Sequence, residues 1–124
     1  MDDRAEQYFN DGKNLVGLGR YTEAVDSFDK ALDIHQNNAE GWYYRGLALS
    51  SLGEYEEALS LYFRALEVSP HKFDQYSEIG DTLMALGDPE HALTYLRKAN
   101  QIDPFNSLVC YNLGRAYLDL CRYE

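Results

Sequence analysis

Basic residues are scarce in this 124-residue sequence: 11 Lys and Arg stand against 21 Asp and Glu, for a formal charge of −10. Affinity for nucleic acid comes mainly from neutralising phosphates with Lys and Arg, so a nucleic-acid partner is excluded. An anionic membrane surface is disfavoured for the same reason. The acidic surplus serves solubility, or it favours basic protein segments; composition alone leaves both open. The sequence also lacks any run of about 18 apolar residues, the length a membrane-spanning helix requires. Its opening, MDDRAEQ, has neither the basic n-region nor the apolar h-region of a signal peptide. The expected compartment is therefore the cytoplasm.

Cysteine is limited to Cys110 and Cys121, eleven residues apart within one expected helix. At about 1.5 Å of rise per residue they lie roughly 16 Å apart, beyond the reach of a disulfide. Both are expected as thiols in a reducing compartment. His35, His71 and His91 fall near helix ends in different parts of the chain, without the His-x-x-x-His spacing of a zinc site. There is no phosphate-cradling glycine loop, and no carboxylate pair stands out from the many acids. Neither catalysis, nor a cofactor, nor a metal is expected.

What the sequence does contain is a period. Gly12, Gly46 and Gly80 are 34 residues apart, as are Ala24, Ala58 and Ala92, and again Ala31, Ala65 and Ala99; Pro70 is followed by Pro104. A fixed repeat of this size marks one supersecondary unit stacked several times. In the middle copy, Ala39–Lys72, the recurring places hold Trp42, Gly46, Leu49, Ala58, Tyr62, Ala65 and Pro70. This pattern resembles the tetratricopeptide repeat family. The resemblance implies an all-α, right-handed superhelical solenoid of antiparallel helix pairs, with seven helices. It divides a single domain, 1–124, into repeats 5–38, 39–72 and 73–106 and a half-repeat 107–124.

Local chemistry agrees with paired helices. Apolar residues recur at three- and four-residue steps. In the second repeat the first helix is expected over about Ala39–Leu52, with Asn38 as N-cap. Gly19, Gly53 and Gly87 end first helices, because glycine tolerates the left-handed conformation found there. Asp88 caps the following helix, with Pro89 at its first position. Lys30, Arg64, Arg97 and Lys98 are expected near the C-terminal ends of second helices, where cations are favoured. Gly12, Gly46, Gly80 and Gly114 allow close approach of a second helix, with Phe28, Tyr62 and Leu96 filling the space beside the crossing. Where the pattern has Leu before the glycine, the first two repeats carry Asp11 and Arg45, which are expected to pair across the stack. The last helix is apolar on several sides, at Leu108, Val109, Cys110, Leu113, Tyr117, Leu118 and Leu120. It reads as the start of a further repeat in a longer array, with a surface suited to self-association.

The family resemblance also places the candidate site. It implies that partner contacts come from the concave face of the first helices. Those places hold Glu6, Phe9, Asn10 and Lys13; then Glu40, Tyr43, Tyr44, Leu47, Ser50 and Ser51; then Asp74, Ser77, Glu78, Asp81 and Met84; and finally Leu108, Tyr111, Asn112, Arg115, Leu118 and Asp119. The result is an acidic groove with an aromatic centre, suited to an extended basic peptide with apolar side chains. Family members that clamp a chaperone's C-terminal carboxylate use Lys, Asn, Asn, Lys and Arg at places that here hold Phe9, Lys13, Tyr44, Asp74 and Glu78. None is kept, so a chaperone tail is not the expected partner. The alternative is an assembly element that self-associates through its terminal helix while the groove stays idle.

Overall fold

The computed structural model describes residues 3–70 and 75–121. Seven helices make up most of them: α1 (Asp3–Gly17), α2 (Tyr21–Ile34), α3 (Ala39–Ser51), α4 (Tyr55–Val68), α5 (Gln75–Ala85), α6 (Pro89–Ile102) and α7 (Ser107–Cys121). Among the described residues there is no strand. Two compact units divide them, Met1–Phe73 with α1 to α4 and Asp74–Glu124 with α5 to α7.

The turn inside each repeat follows from one glycine. Gly19, Gly53 and Gly87 have φ of 76°, 83° and 79°. With that residue left-handed, two amides turn back onto the helix. Gly53 donates to the Ser50 carbonyl at 3.0 Å and Glu54 to that of Leu49 at 2.9 Å. The same pair of bonds recurs at Gly19 with Arg20 and at Gly87 with Asp88, satisfying carbonyls that a bare helix end leaves open. The starts are capped as the sequence indicates. The Asn38 side chain accepts from Gly41 N at 3.2 Å, and Asp88 accepts from His91 N at 3.2 Å with Pro89 following it. Asn106 does the same for α7, accepting from Val109 N at 3.1 Å.

In the first unit, Tyr8 meets Lys30 while Gly12 meets Phe28, so α1 and α2 run antiparallel. A Cβ on Gly12 would stand 2.5 Å from the Phe28 ring, and one on Gly46 2.7 Å from that of Tyr62. No side chain fits such a gap, which is why glycine occupies both places. Phe28 and Tyr62 are wholly buried beside the crossings, flanked by buried Ala24, Ala31, Ala58 and Ala65. The second unit repeats the arrangement. A Cβ on Gly80 would lie 2.6 Å from Leu96, between Ala92 and Ala99. On α7, Val109, Asn112 and Ala116 are buried, whereas Leu108, Tyr111, Tyr117 and Leu118 are exposed.

Two expectations need correction. Arg45 pairs with Asp29 on α2, its Nε donating to Oδ1 at 2.6 Å, and Asp11 is exposed. Residues at equal places on successive first helices are neighbours in register, but α2 lies against α3 and offers the nearer carboxylate. Nor do Lys30, Arg64, Arg97 and Lys98 stand in the last turn of their helices. They lie earlier and sit over rings of other helices: Lys30 over Tyr8, Arg64 over Trp42, Arg97 over Tyr117 and Lys98 over Tyr76. Aromatic faces carry negative potential, and that attraction sets these side chains rather than the helix dipole.

Candidate functional site

In the first unit, α1 and α3 bring one face of each helix to a cleft of about 520 Å³. Helical periodicity sets its lining. Glu6, Phe9, Asn10 and Lys13 recur at three- and four-residue steps along α1, so they share a side. From α3 and the segment before it come Asn37, Asn38, Ala39 and Glu40. His35, Val68 and Ser69, from the ends of α2 and α4, and Ala5 of α1 also line it.

One ring, that of Phe9, lines the cleft and belongs to an aromatic cluster behind it. Phe9 and Tyr44 meet edge to face at 5.7 Å and 76°, with Phe28 5.9 Å from Phe9 beneath them. Tyr43 turns the other way, 5.8 Å from Tyr62, and is nearly buried. Lys13 places its ammonium 5.2 Å from the Phe9 centroid and 5.3 Å from that of Tyr44, so this cation rests on the aromatic pair. Two carboxylates, exposed Glu6 and half-buried Glu40, stand on the same cleft. Phe9, Lys13 and Glu40 of the expected groove residues are thus gathered here, with Tyr44 against Lys13. Leu47 is half-buried and lies outside the cleft lining.

In the second unit, the expected residues make fewer free contacts. Asn112 is 2% exposed, and its Nδ2 donates to Asp81 Oδ1 at 3.0 Å, tying α7 to α5. That amide is committed to the fold. Tyr111 is well exposed, with the Arg115 guanidinium 5.7 Å from its ring. Glu78 is half-buried, and its backbone carbonyl accepts from Thr82 Oγ1 at 2.7 Å. Asp74 lies outside the described residues.

Sequence reasoning missed His35, Asn37, Val68 and Ser69, because they belong to connections and second-helix ends. It also missed the Asp81–Asn112 bond, which joins residues 31 positions apart. Among the described residues, no group of His, Cys, Asp and Glu is arranged to hold a metal ion. No helix among them is long and apolar enough to cross a membrane.

Comparison with known proteins agrees with this geometry. Family models described as tetratricopeptide repeat match residues 39–72 and 83–124, and one described as TPR repeat matches residues 12–53. A search of curated proteins finds no match. Among solved structures, the first TPR of Spaghetti (RPAP3), bound to the HSP90 peptide SRMEEVD, superposes with a TM-score of 0.92 at 22% identity, over 98% of this chain and 96% of that one. MamA residues 41 to the end, from Desulfovibrio magneticus RS-1, gives 0.91 at 27% identity over 96% and 67% of the two chains. The second TPR domain of human RPAP3, in complex with the HSP70 peptide SGPTIEEVD, gives 0.83 at 18% identity over 92% and 95%.

Proposed function

The chain belongs to the tetratricopeptide repeat family, an all-α solenoid, and on that premise we propose that it holds an extended, basic peptide segment on the face of its first helices. Such repeats are protein-interaction scaffolds and not enzymes, so the partner is a protein or peptide and the event is binding without chemistry. The observation that carries the finer reading is the cleft of the first unit. Phe9, whose ring packs edge to face with Tyr44, lines it with Lys13, and Glu6 and Glu40 stand on the same cleft. A partner's apolar side chain gains contact area on rings that have few rotors to freeze. Its Lys or Arg gains from the exposed Glu6 carboxylate and the half-buried one of Glu40.

Two structural relatives carry chaperone peptides ending in Glu-Glu-Val-Asp. The same partner class does not suit this chain. A carboxylate-rich tail needs cations along the groove, and the five clamp places hold Phe9, Lys13, Tyr44, Asp74 and Glu78. Lys13 alone is cationic, and two of the others repel acids.

A screen of immobilised extended peptides, half basic with aromatic residues and half ending in acidic motifs, tests this at two salt concentrations. Enrichment of the basic set, weakened by salt and by Glu40→Lys, is the expected result. Enrichment of acid-terminated peptides, or of neither set, would overturn it.

A further inference from the structure

In the cleft of the first unit a cation already lies on the rings. Lys13 stands one helical turn beyond Phe9 on α1, with its ammonium 5.2 Å from the Phe9 centroid and 5.3 Å from that of Tyr44. Among the described residues Lys13 forms no ion pair, although Glu6 and Glu40 line the same cleft. The rings, and not a carboxylate, set where this charge rests. Phe9 lines the cleft yet is only 7% exposed. Nor is this contact part of the repeat. Lys30 over Tyr8 and Arg64 over Trp42 recur at the 34-residue spacing and fasten second helices to first ones. The places equal to Lys13 in the next two repeats hold Leu47 and Asp81. The Lys13 contact belongs to this cleft and not to the architecture.

A ring pair that holds one cation beside two carboxylates suits a second cation in its place. We propose that the Phe9–Tyr44 rings take an arginine of the bound peptide, which displaces the Lys13 ammonium, so that Lys13 is an internal competitor setting the affinity of the cleft. The inference rests on the peptide-binding reading above and names the side chain that reading requires. Arginine fits better than lysine for two reasons. Its guanidinium is flat, stacks on aromatic faces and is more weakly hydrated than an ammonium. Its forked donors also match carboxylates bidentately, and Glu6 and Glu40 are on the same cleft. Displacing Lys13 is easy. It is an exposed side chain, and an exposed cation–ring contact is worth about two- to fivefold in an equilibrium constant. Binding should be weakened by that factor while Lys13 is present.

Fluorescence anisotropy with two labelled peptides tests it, one alternating Arg with Ala and Tyr, the other with Lys in place of every Arg. The Arg peptide should bind wild type more tightly than the Lys peptide of equal charge. Lys13→Ala should bind the Arg peptide about two- to fivefold more tightly than wild type, and alanine favours the helix, so the fold is kept. Lys13→Arg, a firmer cover, should bind it no better than wild type. Arg20→Ala removes the same charge outside the cleft and should stay within twofold of wild type. Proton spectra give an independent readout. The Lys13 ε-methylene, shielded above the rings in the free protein, should move downfield when the Arg peptide is added. Failure of both peptides to bind wild type and Lys13→Ala alike would overturn this inference together with the peptide-binding reading. Binding that Lys13→Ala leaves unchanged or weakens, equal affinity for the two peptides, a gain matched by Arg20→Ala, or an unmoved ε-methylene in the complex would each overturn this inference and leave that reading standing.

Discussion

The Arg64 guanidinium lies 4.5 Å from the centre of the Trp42 ring, joining the second helix of its repeat to the first. Trp42 is held from its other end as well, its Nε1 donating to the Gln36 carbonyl at 2.9 Å. The relationship is periodic. Lys30 over Tyr8 and Lys98 over Tyr76 occupy the same two places in the neighbouring repeats, so one cation–ring contact fastens each helix pair.

Arg64→Ala should therefore loosen the second repeat by about 0.5–1 kcal/mol, the range of an exposed cation–π contact. Trp42 is the sole tryptophan, and its fluorescence should shift to the red as the ring gains water. Urea titration followed at that signal checks both effects, and Arg64→Lys should lie between Ala and wild type.

Arg45 and Asp29 form the half-buried ion pair of the first unit, with side chains 23% and 47% exposed. Screening by water at that exposure limits the pair to about 1 kcal/mol. A double-mutant cycle with Arg45→Met and Asp29→Asn should return a coupling of that order. Asp11→Asn combined with Arg45→Met should return none.

Glycine at the crossings can be tested against glycine on the open face. In Gly46→Ala, crowding against the Tyr62 ring costs about 1–3 kcal/mol, of which the gain in helix propensity offsets at most about 1. In Gly114→Ala only the gain remains. Calorimetry at low protein concentration should show a lower melting temperature for the first variant and an unchanged or higher one for the second.

Asn112→Leu should remove the α5–α7 tie at 3.0 Å and leave half-buried Asp81 without that donor. Loss of a partner to a carboxylate costs about 1.5–3 kcal/mol. Amide hydrogen exchange should quicken across α7 more than across α1 or α2.

These contrasts show what was readable beforehand. Gly19, Gly53, Gly87, Asn38 and Asp88 were legible because a turn or a cap is decided within a few residues by φ or by one side-chain acceptor. Gly12 paired with Phe28 was legible through the repeat itself. The roles of Lys30, Arg64 and Lys98 were misread because distance to a helix end is visible in sequence, whereas a ring 22 residues earlier is reached only when two helices lie side by side. Arg45 had two acidic candidates, and only the packing of α2 on α3 selects Asp29. In the candidate site, Phe9, Lys13 and Glu40 line one cleft. The commitment of Asn112 to Asp81 is a matter of burial, which residue type alone does not disclose.

The most direct test of the central claim is an amide chemical-shift map recorded while a basic, aromatic-containing peptide from the screen is titrated in. The account predicts that the largest shifts fall on α1 and α3, at Glu6, Phe9, Lys13, Glu40 and Tyr44, and that they shrink in Glu40→Lys. Shifts confined to α2, α4 and α6, with those five residues unmoved, would contradict it.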